Sequence, residues 1–104
     1  MRVAAAALAV LVLALPGWSA GPRRATLLLR QTSPLVVRGE GFGVREQVAV
    51  TATGTNRTFA TVRATKSGRF TARFRLRVGR CTELTVRAVG SQGSRAILQR
   101  EPGC

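Results

Sequence analysis

Residues 69–78, RFTARFRLRV, alternate without interruption. Phe70, Ala72, Phe74, Leu76 and Val78 fall on one side, and Arg69, Thr71, Arg73, Arg75 and Arg77 on the other. A period of two belongs to a strand with one face in a core and one in water. The same alternation returns over residues 47–53 (QVAVTAT), with Val48, Val50 and Ala52 together, and over 58–65 (TFATVRAT), with Ala60, Val62 and Ala64 inward. Shorter extended runs are predicted at 26–30 (TLLLR) and 35–38, separated by turn chemistry at 31–34 (QTSP). Residues 82–89 (TELTVRAV) and 95–100 (RAILQR) complete the set around the loop 90–94 (GSQGS). Residues 44–50 would stack Val44 on Val48 as a helix, but their Val and Thr content and the alternation that follows favour a strand. Short strands with turns at this spacing and no convincing helix predict an all-β sandwich or barrel of six to seven strands.

Parity predicts two hairpins. Pairing Thr65 with Arg69 across the turn 66–68 sets Val62 against Ala72 and Ala60 against Phe74 on the inner side, with Phe59 outside beneath Arg75. Pairing Val89 with Arg95 sets Ala88 against Ala96 and Val86 against Leu98. Carried further, that register brings Cys81 opposite Gly103, beside Cys104, and also sets Glu83 against Glu101, so a bulge or slip is expected near that end.

The first 20 residues are a different kind of sequence. Met1 and Arg2 make a short positive start, residues 3–15 are Ala, Val and Leu throughout, Pro16 and Gly17 break the run, and small residues follow at Ser19, Ala20 and Gly21. This order is that of a secretory signal peptide. The apolar run is shorter than the roughly 20 residues of a membrane-spanning helix. Cleavage is expected between Ser19 and Gly21; the competing reading is an uncleaved anchor, because Arg2 is a thin charged region. No Cys lies near the cut for a lipid anchor. The chain then divides into a signal peptide at 1–20, a lead-in without pattern at 21–25 and a domain at 26–104, in a protein secreted or held in the cell envelope with no transmembrane span in its mature form.

The mature chain, about 84 residues, is marginal for a single core. Cys81 and Cys104 supply help: two cysteines in an exported chain predict one disulfide. Two thiols are too few for a zinc site, which takes four ligands, so no metal site is expected.

Residues 37–42 (VRGEGF), then Glu46-Gln47-Val48-Ala49-Val50, Gly68-Arg69-Phe70 after a turn, and Val86-Arg87-Ala88 running into the Gly-rich 90–93 resemble bacterial immunoglobulin-like (IPT/TIG-like) modules of exported and cell-surface proteins. The resemblance covers residues 35–100. Where that family often carries a Pro-Gly turn after the Phe, this chain has Gly43-Val44-Arg45. It implies a small immunoglobulin-like antiparallel β-sandwich with an adhesive, spacer or binding role, and carries over no catalytic residue.

The inventory argues against catalysis. There is no His, Asp or Tyr, and the four carboxylates, Glu40, Glu46, Glu83 and Glu101, are scattered among loops and strand ends. No cofactor site is expected. Residues 39–43 (GEGFG) are not a phosphate loop, which needs a helix N-terminus after it; they predict a tight bend whose glycines take positive φ, with Phe42 plugging the end of the core. Asn56-Arg57-Thr58 matches a glycosylation acceptor and reads as coincidence in a chain of bacterial character.

Charge supplies the candidate surface. The chain carries a formal +13, and all its basic residues but Lys66 are Arg. Arg73, Arg75 and Arg77, with Arg69 and Arg63 nearby, would form a comb of planar donors roughly 6.6–6.8 Å apart along a strand, suited to phosphate or carboxylate. The plain alternative is a solvated face in a GC-rich genome, whose codons favour Arg, with the charges also keeping the edge from aggregating. Base-stacking recognition needs aromatics among the cations, so sequence-specific nucleic-acid binding is not expected. The sequence therefore predicts a non-catalytic, exported interaction or structural module that meets a protein or an anionic envelope polymer. The alternative is a cationic protein that binds anionic polymers or membrane surfaces through the Arg row.

Overall fold

The computed structural model describes residues 23–104; the expected signal peptide at 1–20 and its cleavage site lie outside the described residues. Two sheets face each other. Strands β2 (Thr26–Thr32), β3 (Leu35–Glu40) and β6 (Phe70–Arg73) form one, in the order β2-β3-β6. The other contains β4 (Gln47–Thr53), β5 (Arg57–Arg63), β7 (Leu84–Gly90) and β8 (Ser94–Arg100), in the order β8-β7-β4-β5. The two-residue β1 (Arg23–Arg24) adds to β8 as a parallel edge, so part of the lead-in expected at 21–25 to lack pattern is paired. The remaining pairings are antiparallel. The all-β sandwich expected from the alternation is the fold.

The core is the set of inward positions that period two selects. Leu35, Val37, Val48, Val50, Ala72, Leu84, Val86 and Ala88 are each at most 1% exposed. Phe70, Phe74, Leu76 and Val78 are buried while Arg69, Arg73, Arg75 and Arg77 are exposed, so the alternation holds along the whole of 69–78. Only Phe70–Arg73 lies in a ladder; beyond it Phe74 and Val78 donate to the carbonyls of Leu35 and Thr32 at 2.9 Å, which pins the segment past the end of the β2–β3 hairpin. Of the glycines at 39–43 only Gly41 takes the expected positive φ (82°), since Gly39 lies within β3, and Phe42 closes that end of the core edge-on to Phe70, ring centroids 5.0 Å apart.

The terminal hairpin has the expected register: Val89 opposite Arg95, Ala88 opposite Ala96, Val86 opposite Leu98. The ladder ends at Leu84 and Arg100, one residue short of the Glu83–Glu101 clash, without a slip in the paired part. Beyond it Gly103 N donates to Arg80 O at 2.6 Å, and Cys81 and Cys104 form a disulfide with Cα atoms 5.0 Å apart.

The other expected hairpin is not formed. β5 pairs with β4, setting Val62 against Val48 and Ala60 against Val50, whereas β6 pairs with β3, setting Ala72 against Val37. The first rung is real, with Thr65 N donating to Arg69 O at 2.8 Å around Gly68 (φ 77°). From there Ala64 and Phe70 both turn into the core and the chain crosses between sheets. Parity could not separate the two outcomes, because a strand facing the same core from the opposite sheet presents the same alternate residues. Phe59 consequently lies across from Thr51, not beneath Arg75.

Candidate functional site

The Arg row occupies the edge and outer face of the three-stranded sheet. Arg69, Arg73, Arg75 and Arg77 are all exposed. Arg38 joins them on that face, opposite Thr71, but it is engaged by Glu40, its Nε lying 3.4 Å from a carboxylate oxygen. Val36 shares the outer face and is only 9% exposed; it lies between its register partners Gln31 and Arg73, the long side chains placed to cover it. Arg73 thus has a packing role beside any electrostatic one.

Arg63 is not part of this row. It lies on β5, in the other sheet, and its Nη1 donates to Arg45 O at 3.0 Å, holding the turn at 44–45. Four of the five sequence-predicted contacts therefore share a surface, and the fifth faces away with the opposite sheet.

A second surface lies on the other sheet. The outer face of the five-stranded sheet has four consecutive rows fixed by register, the last being Gln47 with Arg63. Arg57, Thr53, Thr85 and Gln99 form the first; Phe59, Thr51, Arg87 and Ile97 the second; Thr61, Ala49, Val89, Arg95 and Arg24 the third. Phe59 is 70% exposed, Ile97 52% and Val89 44%. Arg24, Arg57, Arg87 and Arg95 are exposed around and between them. No outward strand position on this face carries a carboxylate; Glu83 and Glu101 lie just past the start of β7 and the end of β8. The surface is open, with shallow depressions beside Arg87. The signal was available in the alternation of 82–89 and 95–100, whose outward set contains Arg87, Val89, Arg95 and Ile97.

The most constrained polar group is Glu46, fully buried between β3 and β4. One carboxylate oxygen accepts from Gly43 N and Ser94 Oγ, each at 2.7 Å; the other accepts from Gln92 N at 2.6 Å and Ser94 N at 3.3 Å. Burial pushes its pKa up, but the four donors outweigh it together and hold it below the ordinary value. This carboxylate is saturated by structural bonds and joins the 43–46 turn to the β7–β8 turn. Among the described residues, no group of three or more His, Cys, Asp or Glu side chains is arranged to hold a metal, and no helix is long and apolar enough to cross a membrane.

Comparison of the chain with family models, with curated proteins and with solved structures found no match.

Proposed function

We propose that this protein is a non-catalytic, exported immunoglobulin-like module of the cell envelope or extracellular space, working by contact through its sheet faces. The observation that carries the reading is where the polar chemistry sits. Cationic side chains are spread over two open sheet faces, while the one buried carboxylate, Glu46, is consumed by backbone and hydroxyl donors. The Cys81–Cys104 disulfide supports an oxidising destination, in keeping with a signal peptide at 1–20. Strand order supports the immunoglobulin-like reading: counting from β2, the first, second and fifth strands form one sheet and the third, sixth and seventh the other, with the fourth added at the latter's edge. The disulfide departs from the usual inter-sheet position and instead ties the end of the terminal hairpin.

Arg69, Arg73, Arg75 and Arg77, exposed along one alternating segment, favour a second reading, a cationic protein that engages anionic polymer. The two separate on salt. Immobilised protein is incubated with its own envelope fraction at low and high ionic strength. A protein-binding module retains its partner in salt. The cationic reading requires retention that falls steeply with salt and disappears in an Arg73→Gln/Arg75→Gln/Arg77→Gln variant. Isolation of the protein with residues 1–20 still attached and both thiols free would overturn the exported reading.

A further inference from the structure

We infer that the outer face of the five-stranded sheet docks onto an anionic lipid bilayer, with Phe59, Val89 and Ile97 entering the interface and Arg24, Arg57, Arg87 and Arg95 meeting the headgroup phosphates. The inference rests on the exported-module reading and assigns its partner surface, on the sheet opposite the Arg row.

Three observations combine. Single exposed apolar residues are ordinary on a protein surface, but these three project from one face, in adjacent rows, at 44–70% exposure. Phe59 and Ile97 sit at the two ends of a single row, with Thr51 and Arg87 between them. The charge around them has one sign, and every outward strand position is free of carboxylate. An anionic surface is thus complementary to the whole face, and the two Glu residues just beyond one end, Glu83 and Glu101, bias its tilt toward the opposite end, where Arg24 and Arg95 pair. Finally, the face is an open sheet surface and not an enclosed cavity, as contact with a bilayer requires.

Among anionic partners a bilayer uses the most of what is present. A hydrated polymer would engage the guanidinium groups and leave Phe59 and Ile97 in water. Bilayer phosphates accept bidentate Arg while the acyl boundary takes up the apolar side chains. Arg87 lies between Thr51 and Ile97, so its guanidinium reaches the headgroup level only if its apolar neighbours go deeper.

The test is co-sedimentation of the disulfide-bonded protein, as isolated, with vesicles of phosphatidylcholine alone or mixed with phosphatidylglycerol. Binding is expected with phosphatidylglycerol and not without it. An Arg87→Gln/Arg95→Gln variant should lose at least tenfold in partitioning, about fivefold for each charge. A Phe59→Ser/Ile97→Ser variant should lose at least tenfold as well, with an unchanged melting temperature showing that it folds. A Phe59→Trp probe should shift its emission to the blue on phosphatidylglycerol vesicles. Unchanged binding by Phe59→Ser/Ile97→Ser, or unshifted Trp emission, would overturn the inference and leave charge attraction alone. Retention on dextran sulfate without vesicle binding would overturn it in favour of a soluble polyanion. Loss of vesicle binding in Arg73→Gln/Arg75→Gln but not in Arg87→Gln/Arg95→Gln would move the site to the other sheet; none of these outcomes touches the exported-module reading, which stands or falls on cleavage and thiol state.

Discussion

The carboxylate of Glu46 and the hydroxyl of Ser94 meet at 2.7 Å, both fully buried, in a chain where cations outnumber acids by 17 to 4. The partner of this buried charge is not one of those cations but a set of four donors, three of them backbone N–H groups. Hydrogen bonding to the ionised form replaces an ion pair. Arginine in this position would have brought its own desolvation cost. Gly90 makes the approach feasible, since a Cβ there would collide with the Glu46 carboxylate.

Because its pKa is lowered in the folded state, Glu46 contributes stability that is fully present above the unfolded value and is lost as pH falls through the folded one. Acid denaturation below about pH 4 should therefore be shallower in Glu46→Gln, which lacks the titrating group. At neutral pH the same variant should be destabilised by about 3 kcal/mol, because an amide NH2 then faces backbone donors. Urea melts of both proteins from pH 7 to pH 3 measure the two effects, and parallel pH dependences would remove Glu46 from the acid transition.

Gly39 faces the ring of Phe70 across the β3–β6 ladder, and a Cβ at Gly39 would collide with it. Gly39→Ala should cost about 1–3 kcal/mol by forcing the ring off its site and loosening its edge contact with Phe42. Combining it with Phe70→Leu should recover part of the loss, a coupling that a double-mutant cycle reads directly. Simple additivity would show that the glycine matters for another reason.

The disulfide joins residues 23 apart and closes the loop that contains the terminal hairpin. A Cys81→Ser/Cys104→Ser variant should lose about 3 kcal/mol, roughly 15 °C in melting temperature. Hydrogen exchange should rise most at Gly103 and Thr82, whose amides donate to Arg80 and Gly79 at the hairpin's open end. The amides of Val86 and Ala88, deep in the ladder, should open only with the whole domain.

How much of this was legible in the sequence depended on how far apart the interacting residues lie. The register of the β7–β8 hairpin follows from the sequence because its two strands are contiguous and its loop is short. At 65–69 the sequence determines the first rung of the turn and not the pairing beyond it, because the choice between pairing with β5 and crossing to β3 is made by residues distant in the chain. The role of Glu46 was invisible for the same reason: Gln92 and Ser94 donate to it from 46 and 48 residues away. Outward parity identified Arg63, Arg69, Arg73, Arg75 and Arg77 as exposed, but parity assigns a face and not a sheet. The sheet order separated Arg63 from the rest.

Arg75 and Arg77 can be changed with little structural cost, whereas Arg73 stands over Val36. Arg75→Gln/Arg77→Gln should melt within about 0.5 kcal/mol of the parent protein, and adding Arg73→Gln should cost slightly more through lost cover of Val36. If this row binds polyanion, the triple variant should flatten the dependence of log affinity for dextran sulfate on log salt by up to about 3 charge equivalents. The row would then be a binding surface whose three guanidinium groups each release counterions. An unchanged slope, with affinity unchanged at every salt concentration, would instead identify the row as a solvated face that keeps the three-stranded sheet's edge from pairing with another chain. In that case the same triple variant should aggregate faster than the parent protein at equal concentration, since the charges guarding the β6 edge would be gone.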